Sequence, residues 1–241
     1  MHFKMSEIRS QLGWLRTSTI LLAIATALGL IMVVPFGRAL KHSQAVFTFE
    51  MHVVHEVHGA PKALIVVSHI FDVLYSPALT STLMGILPVA GFWRFRRTWQ
   101  TVLSVVTVAA PLGVVLLVKV IVGRNRPGTP FDSWSADPSF PSGHTACAVE
   151  LSVLIVLLLW MRDMTLGGLE EERRPRRPVR MALYGVLILL PVLTACSRVI
   201  LGKHYPSDVL TSLVLCSLLS ACIYRVGEDL LSHWKTMRLG R

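Results

Sequence analysis

The sequence predicts an all-α fold: a six-span transmembrane helical bundle, with an amphipathic outer-surface helical segment between spans 1 and 2. Three observations lead there. Charged residues make up only 16% of the 241 residues and hydrophobic ones 53%, whereas a soluble domain carries about 25% charged residues. Long runs have no Asp, Glu, Lys or Arg at all, and several approach the roughly 20 residues that a helix needs to cross the hydrocarbon core. The basic residues collect between these runs in an alternating pattern.

Taken in order, the first span is Thr17–Gly37, charge-free throughout. No small-residue cleavage site follows it and more spans come after, so it reads as a span rather than a signal peptide. The next stretch, Phe47 to Tyr75, mixes apolar residues with Glu50, His52, His55, Glu56, His58, Lys62, His69 and Asp72, and Pro61 divides it. It reads as one or two helices lying on the outer surface. A partial span from Ala63 to Tyr75 is the second choice, because it breaks the alternation of charge.

The second span is Val73–Trp93 and the third runs from Thr98 to about residue 122. The fourth covers roughly residues 144–162 and tolerates Glu150. The fifth covers 181–198 and the sixth 206–225. The chain reads as one integral membrane domain over 1–241, without internal repeats or low-complexity tracts. The most polar stretch, Arg162 to Arg180, is a loop and no part of a core.

The net charge of +10 has a location. Lys4, Arg9 and Arg16 precede the first span. Arg94, Arg96 and Arg97 follow the second. Arg162, Arg173, Arg174, Arg176, Arg177 and Arg180 follow the fourth, and Arg225, Lys235, Arg238 and Arg241 the sixth. These positions share one side, so the positive-inside rule puts both termini in the cytoplasm. Topology accounts for the basic pI, and no nucleic-acid partner is needed. The four cysteines, Cys147, Cys196, Cys216 and Cys222, lie in or beside apolar runs without metal-binding spacing and read as small buried hydrophobes.

The outer side holds three polar clusters. In the first, Lys119 and Arg126 are seven apart, about two turns on one helical face, with Pro127 following. Alone they could be cations snorkelling at a helix end. The second is Pro141-Ser142-Gly143-His144-Thr145, just ahead of the fourth span. Ser142 suits an N-cap and Gly143 a close backbone approach. Free N–H groups at a helix start form an anion site, and His144 falls in that first turn. The third runs from Ser197-Arg198 to Lys203-His204-Tyr205-Pro206-Ser207-Asp208. Pro206 suits the first helical position. Asp208 can then fix the tautomer of His204, leaving its other nitrogen free as a nucleophile. Ionisable groups collected at the ends of four spans are functional candidates, and three cations match the three equatorial oxygens of a transferring phosphoryl group.

Lys-x6-Arg-Pro, Pro-Ser-Gly-His and Ser-Arg-x5-His-x3-Asp, in this order over residues 119–208, resemble the three-part signature of the type 2 phosphatidic acid phosphatase family. Its superfamily includes vanadium haloperoxidases and glucose-6-phosphatase. The resemblance implies a lipid phosphatase without metal or cofactor. Lys119, Arg126 and Arg198 would bind phosphate oxygens, and Ser142 and Gly143 would add hydrogen bonds. His204 would attack phosphorus, Asp208 would orient it, and His144 would protonate the leaving oxygen and then activate water. The implied partners are a lipid phosphate and the surrounding membrane lipids.

A polyprenyl diphosphate carrier is the first choice of substrate, with phosphatidic acid or phosphatidylglycerol phosphate as the alternative. No Asn-x-Ser/Thr sequon occurs, and the expected location is the bacterial plasma membrane. A transporter using the cations as an anion pathway is the reading from another class. A soluble vanadate enzyme is argued against by the apolar spans. His52, His55 and His58, three residues apart, spread over a third of a helix circumference and read as an interfacial polar face rather than a metal site. Glu150, almost two turns beyond His144, either salt-bridges to a neighbouring span or lines the substrate cavity. Arg124 and Lys203 add positive potential beside the signature.

Overall fold

Apolar runs punctuated by capping residues and prolines fold into eight helices among the residues described by the computed structural model, which are 15–129, 131, 137–166 and 177–239. They are α1 (Thr17–His42), α2 (Gln44–His58), α3 (Lys62–Leu74), α4 (Pro77–Phe95), α5 (Thr98–Val122), α6 (Gly143–Leu166), α7 (Arg177–Ile200) and α8 (Pro206–Leu239). Among the described residues no strand occurs. Most of the basic loop between α6 and α7, and Lys4 and Arg9, lie outside the described residues.

Local chemistry sets the boundaries. The Ser43 hydroxyl accepts from the Val46 amide and starts α2. Ser76 does the same for Leu79, with Pro77 at the first position of α4, where its missing N–H costs nothing. The expected second span is therefore shifted. Val73 and Leu74 end α3, and the next helix begins only at Pro77. Gly123 closes α5 in the left-handed region at φ 59° and turns the chain sharply into Arg124.

Three helices form the centre. Val115 of α5, Ala146 and Val149 of α6 and Cys216 of α8 pack in one buried cluster. A second joins Val33 and Leu40 of α1 to Val118 and Val122 of α5, Leu215 and Leu219 of α8, and Phe140 from the loop before α6. The post of the bundle is α6: 61% of its most apolar window is buried, against 17% for α1.

Five helices are long and apolar enough to cross a membrane: α1, α5, α6, α7 and α8. The pair α2–α3 reaches the same apolarity only when joined, and it is bent by 112°. Its contacts locate it. Glu50 of α2 binds Arg124, the His58 ring contacts the Ile200 carbonyl oxygen at 3.2 Å, and Asp72 of α3 binds Arg198. All three contacts lie at one end of the bundle, so α2–α3 leaves and returns at that same end. In contrast, α4 starts there and finishes at the other, where Arg97 just beyond it donates to Thr165 Oγ1 and the Met164 carbonyl at the far end of α6. At that far end Arg16, ahead of α1, also pairs with Asp229 of α8 at 2.8 Å, and Asp229 accepts from Thr19.

Candidate active site

The ends of α5, α6, α7 and α8 meet at the pole that also holds Glu50 and Asp72. Pro206 and Ser207 open α8, and Asp208 in its first turn turns its carboxylate back to the preceding loop. One oxygen, Oδ2, accepts from the Tyr205 amide at 3.0 Å and faces His204 Nδ1 at 3.4 Å. The other accepts from Arg124 at 2.8 Å. The opposite ring nitrogen of His204, Nε2, lies 3.3 Å from Arg126 Nη1. His204 is 1% exposed, and this burial lowers its pKa to about 4 against the opposing hydrogen bond to Asp208. The ring is therefore neutral, with Nδ1 tied to a carboxylate and Nε2 turned toward a guanidinium.

The second motif reaches the same place through α6. Ser142 caps this helix: its hydroxyl accepts from Thr145 Oγ1 at 3.1 Å and, at 3.5 Å, from the Thr145 amide. Its own amide donates to the Asp208 carbonyl at 3.2 Å, and its carbonyl accepts from Ser212 at 2.9 Å. The Ser142 amide and carbonyl thus lock the start of α6 to the start of α8. The first-turn amides of Gly143 and His144 are not used by the helix, as at any helix start. His144 Nε2 stands 3.1 Å from Asp72.

The cations arrive from α5 and α7. Lys119 donates to the Pro138 carbonyl and lies 3.9 Å from Asp137. Arg126 donates to Asp137 at 2.7 Å and to the Lys203 carbonyl at 2.8 Å. Arg198 is 2% exposed and pairs with Asp72, while its buried Nε has no hydrogen-bond partner among the described residues. The eight residues singled out by the sequence, Lys119, Arg126, Ser142, Gly143, His144, Arg198, His204 and Asp208, thus gather at one pole of the bundle.

Four further groups belong to this network and carry no signature. Arg124 joins Glu50 at 2.6 Å and Asp208 at 2.8 Å and lies over the Tyr205 ring at 4.1 Å. Glu50 also accepts from the Ser207 amide at 2.8 Å. Asp72 spans Arg198, His144 and, at 2.7 Å, Lys203. Burial pushes the Asp72 carboxyl up, but Lys203 and Arg198 outweigh it and hold it below the usual range. Asp137 pairs with Arg126 in the open, 72% exposed. The available signal was charge balance: so many cations together require carboxylates beside them, and among the described residues acids near that pole lie in residues 50–72 and at Asp137.

Other expectations fall away from the pocket. Glu150 is buried, accepts from Ser220 at 2.8 Å and has no cation in salt-bridge range among the described residues. Of the histidine triplet, His58 contacts Ile200, whereas His52 and His55 are exposed.

The chain and its fold have known relatives. The crystal structure of a transmembrane PAP2-type phosphatidylglycerolphosphate phosphatase from Bacillus subtilis superposes with a TM-score of 0.65, over 84% of this chain and 96% of that one, at 23% identity. Undecaprenyl-diphosphatase BcrC of Bacillus subtilis (strain 168) is 30% identical over 94 residues, which is 39% of this chain and 38% of that relative. The aligned stretch thus spans less than two fifths of the curated relative. The profile of the PAP2 superfamily matches residues 97–231, more than half of the chain and all of the α5–α8 pole described above. The chain belongs to the PAP2 superfamily.

Proposed function

We propose that this protein is a lipid phosphatase that removes phosphate from a lipid phosphate or diphosphate through a phosphohistidine intermediate. The observation that carries the reading is the buried His204–Asp208 pair, whose free nitrogen faces Arg126 at 3.3 Å. A neutral imidazole with one nitrogen held by a carboxylate is a prepared nucleophile. Lys119, Arg126 and Arg198 neutralise the phosphoryl oxygens, and Gly143 adds its amide. Ser142 serves by holding the cap. The unpartnered Nε of Arg198 is a donor awaiting such an oxygen. Charge stabilisation comes from these side chains, which suits metal-independent phosphoryl transfer.

The site faces outward. The arginine-bearing ends of α1, α4, α6 and α8 lie at the opposite pole, so the positive-inside rule puts that pole in the cytoplasm and the pocket at the extracytoplasmic surface of a bacterial plasma membrane. The sixth crossing is α4, 19 residues and about 28 Å long, and α2–α3 is the outer-surface segment. A polyprenyl diphosphate is the first substrate, on the likeness to an undecaprenyl-diphosphatase. Phosphatidylglycerol phosphate, suggested by the structural neighbour, and phosphatidic acid are the alternatives.

The test is phosphate release by purified protein from a polyprenyl diphosphate, phosphatidylglycerol phosphate, phosphatidic acid and a soluble phosphomonoester. His204→Ala is expected to insert and fold yet release at least about a thousandfold less. Millimolar orthovanadate is expected to inhibit, and chelators to leave the rate unchanged. Transport of the intact anion without hydrolysis, or full activity in His204→Ala, refutes the reading.

A further inference from the structure

The proposed reaction uses two histidines, and only one of them has a signature carboxylate. Asp72 supplies a carboxylate to the other. It lies near the end of α3, a helix whose Leu64, Val66, Val67, Ile70 and Val73 are all exposed, and it is the one acid of that helix. Its Oδ1 meets both His144 Nε2, at 3.1 Å, and Arg198 Nη1, and its Oδ2 meets Lys203 at 2.7 Å. The two cations fix the carboxylate in place, and it is 18% exposed, against 72% for Asp137.

We propose that Asp72 is the positioning residue of the acid–base histidine, forming a second carboxylate–imidazole pair across the pocket from His204–Asp208. This rests on the phosphatase reading above. With Nε2 of His144 bonded to Asp72, the nitrogen left for chemistry is Nδ1. In the first step His204 Nε2 bonds to phosphorus, the bond from phosphorus to the leaving oxygen breaks, and the proton on His144 Nδ1 passes to that oxygen. In the second, water gives a proton to Nδ1 and its oxygen bonds to phosphorus. The phosphorus–nitrogen bond then breaks and restores His204. Both steps need His144 in the protonated form at one moment, and a carboxylate on Nε2 stabilises that form and fixes the ring, as in other carboxylate-backed imidazoles. Arg198 and Lys203 bind the same carboxylate, and positive charge beside an imidazole opposes its protonation, which makes an anion at Nε2 all the more necessary.

The experiment compares wild type, Asp72→Asn and Asp72→Glu on a nitrophenyl phosphomonoester, whose leaving group needs little protonation. In Asp72→Asn the expected result is a burst of about one nitrophenol per protein, then a steady rate lower by about 100-fold, the scale of acid–base assistance, with phosphohistidine accumulating. Asp72→Glu keeps the charge and is expected to stay within about tenfold of wild type, without a burst. If Asp72→Asn does not insert, Asp72→Ser replaces it with the same expected burst. A variant with unchanged or higher kcat and tighter orthovanadate inhibition shows that Asp72 merely occupies the anion site and overturns the proposal. Equal losses in the Asn and Glu variants, without a burst, assign it a structural role and also overturn it. A wild type that cleaves no phosphomonoester or lipid phosphate sinks the phosphatase reading itself.

Discussion

Arg124 is 3% exposed and lies between two carboxylates, Glu50 and Asp208, with Ser207 as a third acceptor. Such a pair contributes little net stability, but removing one partner leaves buried charge uncompensated, at about 3–5 kcal/mol. Arg124→Ala is therefore expected to lower the thermal unfolding midpoint of the solubilised protein sharply and to abolish phosphate release. Arg124→Lys recovers only part of this, because an ammonium lacks the planar fork that reaches both acids. His204 titrates in a defined direction. Burial lowers its pKa to about 4, below the roughly 6.5 of an exposed imidazole. Between these values the unfolded chain holds a proton that the folded chain does not. Folded-state stability thus rises with pH from about 4 to about 6.5 and levels off above. Unfolding midpoints across that range are expected to climb in wild type and to flatten in His204→Asn. The basic half of the pocket was legible in sequence because cations at helix ends stand out from apolar surroundings. Its acidic half was legible only at Asp208. Glu50 and Asp72 sit among histidines and a lysine in an amphipathic stretch, where charge ordinarily means a wetted face, and only the fold turns those two side chains inward.

Helices rather than residues decide where the pocket stands. The span order was readable from charge-free runs, but those runs mark the hydrocarbon edge and not the helix end. Thus α1 continues from Gly37 to His42, and α8 runs for 34 residues, about 51 Å, through Arg225 to Leu239. Asp229, tied to Arg16 and Thr19, lies on that extension. The start of α4 was misplaced for a related reason: Val73 and Leu74 are as apolar as any spanning residues, and only the Ser76–Pro77 start signal separates them from it. At Gly37 α1 packs closely on its neighbours. A Cβ there would meet the Phe140 ring at 2.5 Å and Val122 at 2.9 Å. Gly37→Leu is expected to push α1 off α5 and lower stability by about 1–3 kcal/mol, with a parallel fall in the unfolding midpoint. Phosphate release should decline with it, since Phe140 stands two residues ahead of Ser142.

At the scale of the whole molecule, the two poles differ in charge as well as in function. Basic ends gather at one, while at the other the cations are met by Asp72, Asp137, Glu50 and Asp208. The orientation proposed above is checked with single cysteines in a cysteine-free background. Gln44→Cys, at the start of α2, is expected to react with a membrane-impermeant maleimide on intact cells, and Thr236→Cys, late in α8, only after permeabilisation. The reverse pattern inverts the topology and moves the pocket to the cytoplasm. The helix bearing Asp72 also has a mechanical meaning. In the orientation proposed above its exposed Leu64, Val66, Val67, Ile70 and Val73 face acyl chains, while its one carboxylate binds Arg198, Lys203 and His144. On that arrangement lateral pressure in the leaflet bears on a single 13-residue helix that contacts His144 through Asp72. Exchange of that leaflet for a soft micelle is expected to slow phosphate release before it lowers the unfolding midpoint, and vesicles to restore the rate.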